Sequence, residues 1–180
     1  MDGMPHAHES KERSMESYAH PPAEDPLFGT VTVELDHEAG TLVVHGDGVP
    51  RAEVRRVGGA EAESHVPIGT RDPERLVMDV GGAEVGLRPA KGFLTRGSYR
   101  VDVGEHRFVP VSLDGSRLSR GGVVLGVFVS TGDGRVSAEW EDGRPEAYDA
   151  AVGYALAAAF GTGAEPMWKL TLDAVLELWP

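Results

Sequence analysis

Residues 145–160 read PEAYDAAVGYALAAAF, and beyond Asp149 no polar stripe interrupts the run from Ala150 to Phe160. The run reads as a helix, whereas a helix lying on a protein surface keeps one polar stripe. A helix apolar nearly all the way round has to be enclosed. Asp142 is the expected cap, Pro145 suits the first turn, and Glu146 favours the positive end of the helix dipole. Gly161 and Gly163 are the expected stop, and Tyr154, Leu156 and Phe160 the expected core anchors.

The material available to enclose this helix lies upstream, in a series of short β-type segments. GTVTVELDHEAGTLVVHGDG (29–48) alternates apolar and polar positions, turns through Asp36–Gly40 and resumes at Leu42, which predicts a hairpin. Further strands are predicted over 49–57, 63–68, 76–80, 83–87, 98–103, 107–111, 117–119, 123–130 and 135–140. Gly81-Gly82, Asp114-Gly115, Gly121-Gly122 and Gly132-Asp133-Gly134 mark turns between them. Many short strands at close spacing, without intervening helices, predict a mainly β (α+β) fold. The expected architecture is an antiparallel barrel or barrel-like roll around the Ala-rich helix. Residues 1–26 are polar and proline-bearing and read as a disordered tail. Residues 167–179 fit helical spacing through Trp168, Leu172, Val175 and Trp179, which predicts a second, amphipathic helix and a possible homo-oligomer face. Residues 27–180 thus read as one domain.

The 180-residue chain carries a formal charge of −12, so nucleic acid is not an expected partner. With no cysteine, disulfides, thiolate metal sites and cysteine nucleophiles are excluded. The N-terminal residues lack an apolar signal core, and the Ala150–Phe160 run is too short to span a bilayer. A soluble, cytoplasmic protein is expected. Its abundant Arg, Ala, Gly and Val suggest a GC-rich bacterial source.

The strand series SYRVDVGEHRFVPV (98–111) and VVLGVFVSTGDGRVSAEW (123–140), followed by the helix AYDAAVGYALAAAF (147–160), resembles the tubby-like barrel. That architecture is shared by tubby C-terminal domains, phospholipid scramblases and LURP-one-related proteins. The resemblance implies a closed antiparallel barrel around a hydrophobic helix, over roughly Phe28 to Phe160. Tubby members bind phosphoinositides, and scramblases are linked to calcium and lipids. No lipid- or calcium-binding motif of the family is matched here, so no residue role is carried over.

Among candidate sites, Arg88, Lys91, Arg96 and Arg100 stand out, because no acidic residue interrupts 85–101 in an otherwise acidic chain. A local basic surface of this kind suits phosphate, on an anionic small ligand or a lipid headgroup; the plainer reading is a run of solvated charges. Arg51, Arg55 and Arg56 form a second, weaker group. His6 and His8 have metal-ligand spacing but lack a third ligand, so no metal is expected. His37 and His45 flank one hairpin turn, while His65 and His106 have no evident partner. Serine-nucleophile motifs and calcium loops are missing, and the Asp-Gly pairs are turn chemistry. No cofactor is expected. The leading expectation is a non-catalytic binding, regulatory or interaction module. The alternatives are a peripheral headgroup binder and an enzyme with a His/carboxylate site at a barrel mouth.

Overall fold

The computed structural model describes residues 21–59, 61–91, 99–111 and 115–161. Two six-stranded antiparallel sheets and one α-helix make up the fold among these residues. The first sheet runs in chain order through β1 (Ala23–Asp25), β2 (Gly29–Asp36), β3 (Thr41–Gly46), β4 (Val49–Arg56), β5 (Leu76–Val80) and β6 (Ala83–Val85). The second continues through β7 (Leu87–Lys91), β8 (Tyr99–Val103), β9 (His106–Val111), β10 (Gly115–Arg120), β11 (Val123–Ser130) and β12 (Val136–Trp140). Each strand pairs with its sequence neighbour, so the topology is a meander that changes sheet once, at Gly86. Strand pairing does not close the two sheets into a barrel. The expected strand over 83–87 is thus two strands, split where the chain leaves one sheet for the other.

The alternation seen in the sequence sets which face of each strand is buried. Val31 and Val33, Leu42 and Val44, Ala52 and Val54, and Leu76, Met78 and Val80 point inward from the first sheet. Val101, Val103, Phe108, Leu118 and Phe128 do so from the second. A register shift between Leu118 and Ser119 gives β11 one extra residue against β10, so Leu125 and Gly126 are buried side by side. Val80↔Ala83 and Arg120↔Val123 close two-residue turns in which both glycines have positive φ (64° and 85° at Gly81 and Gly82, 55° and 86° at Gly121 and Gly122). Only glycine adopts both conformations without strain.

The helix α1 (Ala147–Phe160) packs against strands of both sheets. Every residue from Asp149 to Phe160 is buried, with Tyr154, Leu156 and Phe160 at 2% exposure or less. Close approach is what the small side chains permit: a Cβ at Gly153 would lie 2.7 Å from the Phe128 Cε atoms, and closer still to Cζ. Phe128 is itself fixed by edge-on contacts with Trp140 (5.3 Å) and Tyr154 (5.5 Å). The cap is Glu146 rather than Asp142, so Pro145 precedes the helix instead of opening it. Gly161, at φ 67°, ends it as expected, its N–H donating to the Ala157 carbonyl.

Two other expectations change. Residues 23–25 are β1 rather than tail, held by the Asp25 carboxyl group, which accepts from Trp140 Nε1 (3.0 Å), Tyr154 Oη (2.8 Å) and the Leu27 and Phe28 amides. That group ties β1 to β12 and to the helix. Burial, then the hydrogen bond and charge of Asp25, push the Tyr154 hydroxyl pKa well above the ordinary tyrosine value. Residues 63–68 are turns rather than a strand, and their buried Val66 and Ile68 plug the C-terminal end of α1, where Ile68 N donates to the Ala159 carbonyl (2.9 Å). Arg56 holds the plug down by donating to the carbonyls of Ile68 (3.2 Å), His37 (3.3 Å) and Glu38 (2.7 Å). No helix among the described residues is long and apolar enough to cross a membrane. The expected tail over residues 1–20 and the expected helix over 167–179, with Trp168, Leu172, Val175 and Trp179, lie outside the described residues.

Candidate functional site

The open end of the helix is built differently from the plugged one. Asp149 occupies the third helical position, where its Oδ2 accepts from the backbone N–H of the cap residue Glu146 at 2.6 Å. A carboxylate in the first turn is favourable because the unpaired N–H groups there carry partial positive charge. Asp149 is nevertheless fully buried, and a buried carboxylate needs partners. Two strands of the second sheet supply them. His106 begins β9 and Arg120 ends β10, and these two residues are direct cross-strand partners. Arg120 donates from one guanidinium nitrogen to both oxygens (3.0 and 2.8 Å), and His106 Nε2 lies 2.6 Å from Oδ1. Arg120 also reaches Glu146 Oε1 at 3.5 Å.

His106 is 6% exposed and lies at the floor between two shallow depressions. One, of about 400 Å³, is bordered by Val85, Val103, Glu105, Arg120, Glu146 and Tyr148. That is a small-molecule scale. The Tyr148 ring stands over His106 with centroids 5.7 Å apart, and its hydroxyl pKa is raised by burial and by the neighbouring Asp149 charge. The other depression lies on the outer face of the second sheet, bordered by Arg88, Asp102, Arg107 and Ser119. These four form one row across β7 to β10, in register as Arg88↔Asp102, Asp102↔Arg107 and Arg107↔Ser119.

That row contains part of the basic run singled out in the sequence. Arg88 and Arg100 both lie on the outer face, and Arg107, which was not singled out, joins them. Asp102 pairs with Arg100 (3.3 Å) and Arg107 (2.9 Å), whereas Arg88 makes no ion pair among the described residues. Lys91 ends β7, and Arg96 lies outside the described residues. The weaker group disperses: Arg51 and Arg55 both pair with Glu53, and Arg56 is the plug fastener.

Among the histidines, His37 binds the Pro67 carbonyl and His45 faces Glu34, so the two do not meet. His65 sits on the surface beside Glu63. His106, which has no evident partner in the sequence, is a buried strand residue bonded to Asp149. An enzyme reading requires a histidine and a carboxylate converging at a concave surface; His106 lines both depressions, but its partner Asp149 is fully buried beneath it. Asp149 is also engaged by His106, Arg120 and the Glu146 amide together. No hydroxyl among the described residues hydrogen-bonds His106 as a nucleophile would. No cluster of three metal-ligating side chains occurs among the described residues.

No protein-family model, curated protein or solved structure matches this chain. What the site can do therefore rests on its own geometry.

Proposed function

We propose that the protein is a non-catalytic binding module of the tubby-like type, taking a phosphate-bearing anion on the outer face of its second sheet. The observation that carries this reading is the row Arg88–Asp102–Arg107–Ser119. Asp102 holds the Arg107 guanidinium at 2.9 Å, and Arg88, free of any ion pair among the described residues, lines the same depression. Guanidinium groups and a hydroxyl around one concavity suit phosphate oxygens. The helix supports a non-catalytic role, because it fills the interior in which an enclosed substrate would sit. Closure as a barrel is part of the proposal. Its support is the unbroken strand order, the single residue between β6 and β7, and the Asp25–Trp140 bond between β1 and β12.

Vesicles of neutral phospholipid with and without an inositol-phosphate lipid, and inositol trisphosphate in solution, provide the test. Cosedimentation with the phosphorylated vesicles alone, abolished by Arg88→Glu/Arg107→Glu, supports a headgroup. Calorimetric binding of the soluble phosphate without cosedimentation supports a free ligand. Binding of neither, or binding indifferent to the double reversal, refutes the reading.

A further inference from the structure

The depression over the helix N-terminus has a chemistry opposite to that of the outer face. Asp149 Oδ1, 2.6 Å from His106 Nε2, can only accept, so Nε2 carries the proton. In the neutral imidazole this leaves Nδ1 as a lone-pair acceptor. Nδ1 has no hydrogen-bonding partner among the described residues, although His106 is 94% buried and lines the depression. Among the described residues Arg120 is the one cation bordering it, and Asp149 already matches that charge at 2.8 Å. Two further carboxylates stand on the rim, both exposed: Glu105, and Glu146, whose Oε1 lies 3.5 Å from Arg120. The Tyr148 ring, 38% exposed, forms a side wall beside Val85 and Val103.

We infer that this depression binds a primary ammonium group on an aliphatic stem, as in a small alkylamine or a lysine side chain. An ammonium has three N–H donors and no acceptor. His106 Nδ1, Glu105 and Glu146 offer it acceptors, while the stem lies against the valines and the charge against the face of Tyr148. A carboxylate or phosphate would meet Arg120 already paired with Asp149, and the exposed carboxylates of Glu105 and Glu146 beside it. Arg88 and Arg107, proposed for the anion on the outer face, do not border this depression, although Glu105 and His106 line both.

NMR titration of the ¹⁵N-labelled full-length protein with n-butylammonium chloride tests this, with sodium butyrate as control. The expected result is saturable shifts at 104–106 and 147–148 with the amine and none with the acid. Affinity should fall about threefold in Tyr148→Ala, the scale of an exposed cation–π contact. Glu105→Gln should weaken it further, and both variants are exposed enough to leave the fold intact. Nα-acetyl-lysine methylamide binding more tightly than butylammonium assigns the site to a lysine of a partner; equal or weaker binding assigns it to a free amine. The absence of saturable shifts, equal shifts with butyrate, or unchanged affinity in both variants overturns the inference.

Discussion

Substituting Gly153 by alanine should destabilise the protein, against the usual direction for an interior helical position. On helix propensity alone Gly→Ala gains about 1 kcal/mol. Gly153 is not in the left-handed region, so no backbone strain opposes the change. The opposition comes from Phe128, whose Cε atoms would stand 2.7 Å from the new methyl carbon. The ring has nowhere to retreat, being held by Trp140 at 5.3 Å, Tyr154 at 5.5 Å and Phe108 at 6.4 Å. Overpacking a fixed core costs about 1–3 kcal/mol, and the rigidity of this cluster puts the cost near the upper end. The net loss is about 1–2 kcal/mol, or a fall in Tm of about 3–6 °C for a domain of this size. Urea and thermal unfolding followed by circular dichroism measure it. Phe128→Leu makes room for the methyl, so the double variant Gly153→Ala/Phe128→Leu should be more stable than the two single effects sum to, by about 1 kcal/mol or more. A Gly153→Ala protein more stable than the parent, or a strictly additive cycle, refutes tight enclosure of the helix.

Asp149→Ala should cost about 3–5 kcal/mol in urea unfolding, because it strands Arg120 and His106 against a buried gap. For Tyr154 the raised pKa fixes the sign: the folded state holds the phenolic proton more tightly, so its contribution is intact below about pH 10 and is lost as pH rises beyond it. The urea midpoint should therefore fall as pH rises above about 10, and less steeply in Tyr154→Phe, which is less stable at neutral pH for want of the Asp25 bond. Arg56→Ala should release the 61–70 plug, read as faster hydrogen exchange at Ile68 with little change at Val44.

The β-rich fold and the enclosed helix were legible because both follow from local periodicity. Alternation at 31–35 and 76–80, glycine pairs at two-residue turns and an all-apolar run each carry their meaning within a few residues. Residues 63–68 misled for the opposite reason. Val66 and Ile68 alternate as strand residues do, but Arg56, a β4 residue distant in sequence, fixes that segment as a turn. The site was hidden because it is made by pairing register. His106 and Arg120 become neighbours only when β9 and β10 align. A signal was present: His106 shares inward parity with Phe108, and Arg120 with Leu118, so a polar residue ends the buried face of each strand. The departure from alternation marked the place where the sheet meets the helix N-terminus.

The two helix ends face the same physical problem and solve it with different chemistry. At the C-terminus, carbonyls are met by the Ile68 and Gly161 amides under apolar cover, which leaves nothing for a ligand. At the N-terminus, a cap could have been provided by one exposed serine or aspartate, as most helices manage. Here the capping carboxylate is buried and carries a histidine and an arginine with it. Replacing such a buried ionic group by apolar side chains of similar volume is often neutral or stabilising by about 1–4 kcal/mol, so stability alone does not call for it. The triple variant Asp149→Leu/His106→Leu/Arg120→Met separates the two roles. If the cluster exists to hold the helix, the variant unfolds more easily than the parent. If it exists to present His106 Nδ1 at the surface, the variant keeps its urea midpoint and loses the butylammonium shifts at 104–106 and 147–148. The asymmetry of the two ends favours the second outcome.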